Sequence, residues 1–215
     1  MQQINFSSLG TSNNKIDPSR RRQSPYKADG SPNDNDRVEI GPTDLAFNEW
    51  RELGLTTPNL TRMREYRLAR IVEQLQKRDL AGVLLFDPLN IRYATDSTNM
   101  QLWVTHNHAR ACFVSASGHI ILWDFHNCEH LSAHLPLVKE LRGGASFFYF
   151  ETGNKTVSHA AHFAGEIASI LAEHGGTNKR LAVDKIEIAG LRELDKLAIE
   201  IFDGQEVMEH ARAVK

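Results

Sequence analysis

A run of six small or apolar residues, 81–86, constrains the fold more than any other part of this sequence. The run lacks polar alternation and ends at Asp87-Pro88, which is typical of a short strand buried on both faces of a sheet. The stretch before it carries apolar residues at the spacing of one helical face: Leu68, Ile71, Val72 and Leu75. This spacing predicts an amphipathic helix over about 61–79, with Thr61 as its cap. A strand buried on both faces needs covering helices, so the pattern indicates an α/β fold.

The rest of the chain continues this alternation of strands and helices. Two apolar stretches, 110–115 and 119–124, flank Gly118 and predict a hairpin with that glycine in its turn. The other predicted elements are strands at 146–150, 181–184 and 198–203 and helices at about 156–174 and 187–197. The paired glycines at 175 and 176 are expected to end the longer helix. The sequence therefore predicts an α/β domain with a mixed sheet and helices on its faces.

Residues 1–44 differ from this body in composition. They are rich in Asn, Ser, Asp, Arg and Pro and contain few large apolar side chains. Such a segment buries too little apolar surface to offset the entropy of ordering it. We expect an irregular tail, or an arm that orders on a partner subunit, followed by one domain over 45–210.

Charge and cysteine content limit the partners and the compartment. The chain has 27 acidic and 25 basic residues, a net charge of −2, and 41% hydrophobic residues. A near-neutral balance does not favour nucleic acid or an anionic membrane, and no apolar run is long enough to span a bilayer. The two cysteines, Cys112 and Cys128, are too few for a disulfide scaffold and fit a reducing cytoplasm.

Several motifs of self-contained enzymes are missing from the sequence. It has no glycine-rich phosphate loop, no G-x-S-x-G nucleophile motif and no H-E-x-x-H or paired C-x-x-C metal motif. His126, His130 and His134 recur at helical spacing, but Pro136 argues against a regular helix there. A solvated histidine face is favoured over a metal site, because zinc needs three or four well-placed ligands.

The segment 93–108 is the best candidate for a site. It follows the predicted buried strand and is rich in polar and aromatic residues, and loops at strand ends in α/β folds often form sites. Trp103 could wall a pocket or face a cation, and His106 and His108 would point to one side of an extended segment. The alternative is that Trp103 belongs to the core or a dimer interface and the histidines are solvated.

Two stretches resemble a known family. Arg62-Met-Arg-Glu-Tyr-Arg67 and the segment 79–96, with its Asn90-Ile-Arg-Tyr-x-Thr95 motif, resemble the N-terminal domain of the creatinase, prolidase and aminopeptidase P superfamily. The end of the chain, 207–215, resembles the entry to the helix that joins this domain to the catalytic one. The segment 96–112 is similar to the metal-dependent dimethylsulfoniopropionate lyase branch of marine bacteria.

The resemblance implies a homodimer of two-domain subunits. The divalent or trivalent metal ion and the catalytic residues would belong to a C-terminal "pita-bread" domain, so no catalytic residue and no metal ligand are expected in this chain. The N-terminal domain would shape the pocket for a sulfonium substrate. The expected pocket-wall residues are Trp103, Tyr93, Asp96, His106 and His108.

Two other functions remain open at this level. The chain could belong to a proline-specific peptidase or creatinase-type hydrolase, or it could be a non-catalytic interaction module. If the chain instead belongs to the lyase branch, residues 211–215 begin a linker, and the chain is an N-terminal fragment without activity of its own.

Overall fold

The structure, a computed structural model, describes residues 44–56, 58–97, 106–125 and 132–214. Its helices are α1 (Asp44–Glu52), α2 (Leu60–Lys77), α3 (Pro88–Thr95), α4 (Tyr149–Thr152), α5 (Thr156–Gly175), α6 (Ile188–Lys196) and α7 (Gly204–Arg212). Its strands are β1 (Gly82–Leu85), β2 (Ala111–Ser115), β3 (Ile120–Asp124), β4 (Glu140–Gly143), β5 (Arg180–Val183) and β6 (Glu200–Asp203). The predicted tail or arm over 1–44 lies almost wholly outside the described residues.

The six strands form one mixed sheet in the order β4-β3-β2-β1-β5-β6. β2 runs antiparallel to β1 and β3, and the other neighbouring strands are parallel. Five strands therefore end at one edge of the sheet, here called the carboxyl edge, and begin at the opposite amino edge. The predicted hairpin is confirmed as β2 and β3, with Gly118 at φ +87° in its turn.

Helices cover both faces of the sheet, and the side chains of β1 alternate between them. Leu84 and the following Phe86 pack in the layer of α5 and α6. Val83 and Leu85 pack in the layer of α2, α3 and α7. The buried residues of the second layer include Ile71, Leu75, Ile91, Val207 and Met208. The prediction of a strand buried on both faces, within an α/β domain, is confirmed.

The prediction of a strand at 146–150 is wrong. Phe147 and Phe148 are buried, but α4 begins at Tyr149, and the strand of this region is the more polar β4. The Phe147 ring lies 5.9 Å from the Phe86 ring, so the apolar run fills the core beside α5 without joining the sheet. The cap of α2 is also different from the expected Thr61: the Asn59 side chain accepts a hydrogen bond from the Arg62 N–H at 2.9 Å.

Helix α3 begins immediately after β1 and was not predicted from the sequence. The Asp87 carboxylate accepts hydrogen bonds from the N–H groups of Leu89 and Asn90, and Pro88 occupies the first turn. Both residues favour a helix start, because the carboxylate satisfies free N–H groups and proline has none to satisfy.

Two further features of the described residues concern the composition of the helices and a buried cysteine. Of the helices within the described residues, none combines the length and the apolar character that crossing a bilayer requires. Cys112 is fully buried in β2, and burial raises the pKa of its thiol far above the ordinary value.

Candidate functional site

The candidate residues of α3 lie near the carboxyl edge of the sheet. Asp96 ends α3 in the left-handed conformation, with φ 66°. Its carboxylate accepts hydrogen bonds from Arg64 Nε at 2.9 Å and from Arg67 Nη1 at 3.3 Å. Both arginines belong to α2, so Asp96 fixes the end of α3 against that helix and fixes the start of the segment that carries Trp103.

Tyr93 ties α3 to α7 and faces a cavity. Its hydroxyl donates to the Ala211 carbonyl oxygen at 2.9 Å, and the Arg67 guanidinium lies 5.5 Å from the centre of its ring. Burial raises the pKa of Tyr93 despite the nearby arginines. A cavity of about 360 Å³ is lined by Met63, Tyr66, Arg67, Tyr93, Arg212 and Val214. Tyr93 is therefore a wall residue of a cavity, and its hydroxyl is already used inside the domain.

Of the two candidate histidines, His108 packs on the other face of the sheet, in the layer that contains Phe86. His106 is exposed, whereas His108 is partly buried with its ring 5.9 Å from the Phe86 ring. The His108 Nδ1 atom is buried and lies 3.6 Å from a Glu187 carboxylate oxygen, too far for a hydrogen bond. Burial lowers the pKa of His108 below the usual value, more than Glu187 raises it. The structure thus brings Tyr93 and Asp96 together through Arg67 but places His108 apart from them.

Trp103 and the rest of 98–105 lie outside the described residues, so its assignment to the pocket wall stays a prediction. The described chain on either side of this segment is held by a buried ion pair. Arg110 Nε donates to Asp124 Oδ1 at 2.9 Å, and both side chains are almost fully buried. Arg110 Nη2 also donates to Ser97 Oγ at 2.6 Å, and the Ser132 hydroxyl donates to Asp124. The buried pair therefore holds the chain on both sides of 98–105, at Ser97 and at Arg110 itself. It also holds Ser132, the residue that follows 126–131.

Asp184 at the end of β5 and Asn90 in α3 form a second polar centre at the carboxyl edge. The Asp184 carboxylate accepts hydrogen bonds from the backbone N–H groups of Phe86 at 2.7 Å and Asp87 at 3.1 Å. It accepts a third from the side-chain Nδ2 of Asn90 at 2.9 Å. Burial raises the pKa of Asp184, opposed by these hydrogen bonds. Sequence reasoning missed Asp184, although an acidic residue directly after a buried strand was a signal that could have found it.

The histidines of the region 126–134 fall only partly within the described residues. His126 and His130 lie outside the described residues, and His134 lies in a turn and is partly buried. Residues 132–137 form no regular α-helix, as Pro136 predicts.

The sequence and the fold together assign the chain to a family. Residues 67–214 match the Creatinase/Prolidase N-terminal domain. The chain belongs to this family, as its Asn90-Ile-Arg-Tyr-x-Thr95 motif indicates.

Two similar proteins carry a more specific name. The chain is 53% identical over 201 residues to "Dimethylsulfoniopropionate lyase DddP" of Roseovarius nubinhibens and 52% identical over 201 residues to the protein of that name in Roseobacter denitrificans. Each alignment covers 94% of this chain and 44% of the relative. The chain thus spans less than half the length of these relatives.

Solved structures align less closely. An Xaa-Pro aminopeptidase (aminopeptidase P) of Streptococcus thermophilus aligns at a TM-score of 0.49 and 12% identity, over 69% of this chain and 98% of that one. An Xaa-Pro dipeptidase of Bacillus anthracis aligns at 0.49 and 13% identity, over 71% of this chain and 36% of that one. The fold class rests on the family match and on the sheet itself.

Proposed function

We propose that the complete protein containing this chain is a lyase that cleaves dimethylsulfoniopropionate into acrylate and dimethyl sulfide. In this proposal the domain shapes the substrate pocket. The observation that carries it is the identity of 52–53%, spread over 94% of the chain, to two proteins named as lyases for this substrate.

The bonds of the described residues that flank 98–105 support a pocket role for Trp103. Asp96 is fixed by two arginines of α2, and Ser97 is bound by the buried Arg110. Fixed residues at both ends of a loop suit the presentation of a loop side chain to a ligand. The substrate carries a sulfonium cation, and an indole ring face attracts cations.

The proposed reaction is a proton abstraction followed by loss of a neutral leaving group. A carboxylate base removes the proton alpha to the substrate carboxylate, and that electron pair forms the C=C bond of acrylate. The C–S bond breaks with its electrons passing to sulfur, so dimethyl sulfide leaves uncharged. A divalent or trivalent metal ion, bound by a C-terminal catalytic domain, would hold the substrate carboxylate.

We also propose a cytoplasmic homodimer. The low cysteine content, two residues in 215, supports a reducing compartment. Two adjacent aromatic side chains of α4, Tyr149 and Phe150, are 72% and 83% exposed and offer an apolar surface to a second copy.

The decisive experiment compares the complete gene product with the 215-residue chain. Each is incubated with dimethylsulfoniopropionate, and dimethyl sulfide is measured by headspace gas chromatography. We expect release by the complete gene product and none by the 215-residue chain. Hydrolysis of Xaa-Pro dipeptides without dimethyl sulfide would assign a peptidase, and inactivity on both substrates would favour an interaction module.

A further inference from the structure

Three potential metal ligands meet at the amino edge of the sheet, opposite the candidate pocket. His119 lies in the β2–β3 turn, Glu140 is the first residue of β4, and His174 lies in the last turn of α5. One ligand atom of each residue lies within 4.8 Å of the other two. The three residues are far apart in the chain, which is why the sequence gives no sign of the cluster.

The distances within the cluster approach those of a tetrahedral metal site. His119 Nε2 lies 2.9 Å from Glu140 Oε1, and the rings of His119 and His174 are stacked with centroids 4.2 Å apart. Zinc bonds of about 2.1 Å place tetrahedral ligands about 3.4 Å apart. The three ligand atoms all lie within 4.8 Å of one another, so no separation exceeds this spacing by more than about 1.4 Å. The His119–Glu140 pair, at 2.9 Å, would open slightly when an ion is bound.

Hydrogen bonds orient His119 and Glu140. The His119 N–H donates to Ser115 Oγ at 2.9 Å, which fixes the backbone of the turn. Arg142 Nε donates to Glu140 Oε2 at 3.1 Å, leaving Oε1 directed at His119. Arg142 also pairs with Glu166 at 2.9 Å, so a second carboxylate offsets its positive charge. This arrangement holds one carboxylate oxygen in place for a cation.

His174 gives an independent indication that the cluster binds a cation. Its Nε2 atom is buried and has no hydrogen-bond partner, and the Glu173 carboxylate lies 3.9 Å away. A buried polar nitrogen without a partner is costly, and a metal ion would satisfy it. The last turn of the 20-residue helix α5 also favours a positive charge, because its carbonyl groups point toward that end.

We propose that His119, Glu140 and His174 bind one divalent ion of the zinc type, with water completing the coordination. Two imidazoles and one carboxylate favour zinc over magnesium or calcium, which prefer oxygen ligands alone. The side chains of His119 and Glu140 are 28% and 35% exposed, so solvent reaches the site. The ion links the β2–β3 turn, the sheet-edge strand β4 and α5, and its role is structural. The proposal is independent of the proposed lyase activity.

Zinc titration of the metal-stripped 215-residue chain tests the site. Calorimetry with zinc chloride at pH 7.5 should give one site per chain. Loss of an outer hydrogen-bond partner alone weakens metal binding by about 10–100-fold. Removing a ligand by His174→Ala or His119→Ala should therefore weaken binding by about 100-fold or more. Zinc at about 100 times its Kd should raise the Tm by about 5–10 °C.

Matched variants separate this site from other histidines. His162→Ala, an exposed position on the same helix, and the double variant His126→Ala/His130→Ala should both keep full zinc affinity. His174→Gln keeps a polar side chain of similar size and serves if the alanine variant fails to fold. Absence of a stoichiometric site would overturn the proposal, as would zinc binding that survives His174→Gln and is lost in the double variant.

Discussion

Asn90 and Tyr93 show that a family motif can be mainly structural. Asn90 joins Asp184 to Gln205 through its side-chain amide, and Tyr93 binds the Ala211 carbonyl oxygen. The motif therefore connects α3 to α7 and to the residue that follows β5. Its spacing was enough to identify the domain, but these partners are distant in the chain and could not be read from the sequence.

Trp103 gives the most direct test of the pocket. In the complete protein, Trp103→Ala should lower kcat/KM for the sulfonium substrate by about 30-fold, since a desolvated cation–π contact contributes about 2 kcal/mol. Trp103→Phe should retain part of the activity. Steady-state kinetics and thermal melts check this; a large drop in Tm with unchanged kinetics would place Trp103 in the core instead.

The buried pair of Arg110 and Asp124 should dominate the stability of its region. Arg110→Met leaves a buried carboxylate without its cation and should cost about 3–5 kcal/mol of unfolding free energy. The exposed Arg192→Met should change stability by less than about 0.5 kcal/mol. Urea denaturation measures both. Adding Asp124→Leu to Arg110→Met should recover part of the loss, and an additive further loss would contradict this account.

His108 should make stability depend on pH. Burial lowers its pKa from the usual 6.5, so below that pH the unfolded chain binds more protons than the folded one. Stability is therefore lost as the pH falls from about 6.5 through the folded pKa. In His108→Gln, the difference between the urea midpoints at pH 7.5 and 5.5 should shrink. The exposed neighbour His106→Gln is the control, and an equal reduction there would refute the assignment to His108.

At the scale of elements, prediction succeeded where burial and periodicity agreed. α2, α5 and β1 carry continuous apolar patterns and lie where expected. β4 was missed because an edge strand with one side in solvent, Glu140–Gly143, carries little apolar pattern. The wrong prediction of a strand at 146–150 has the opposite cause, an apolar run outside the sheet. Phe147 is buried because it packs against Phe163, and it has no strand partner.

Two helical glycines should respond to alanine with opposite signs. A Cβ at Gly204, the first residue of α7, would lie 2.5 Å from the Val183 carbonyl carbon of β5. Backbone cannot yield as a side chain does, so Gly204→Ala should cost about 1–3 kcal/mol. Gly165 in α5 has open space around it, so Gly165→Ala should add about 0.5–1 kcal/mol. Chemical denaturation of both variants checks the signs, and stabilisation by Gly204→Ala would contradict the close approach of α7.

At the scale of the whole molecule, the proposed dimer makes a prediction about mass. The complete protein should elute with twice its subunit mass in light-scattering chromatography. Phe150→Glu, which charges the exposed apolar surface of α4, should shift the population towards monomer because a buried charge opposes association. His162→Glu, at an exposed polar position of α5, is the matched control. A dimer unaffected by Phe150→Glu would move the interface elsewhere.

The buried thiol of Cys112 is also a probe of how often the centre of the sheet opens spontaneously. Cys112 pairs with Leu85 of β1 and Leu122 of β3, so no reagent reaches its sulfur until these strands separate. With Cys128→Ser removing the other thiol, the labelling rate of the native chain reports how often the sheet opens without denaturant. That rate, compared with and without a bound ion or partner, would show directly which contacts keep the domain closed.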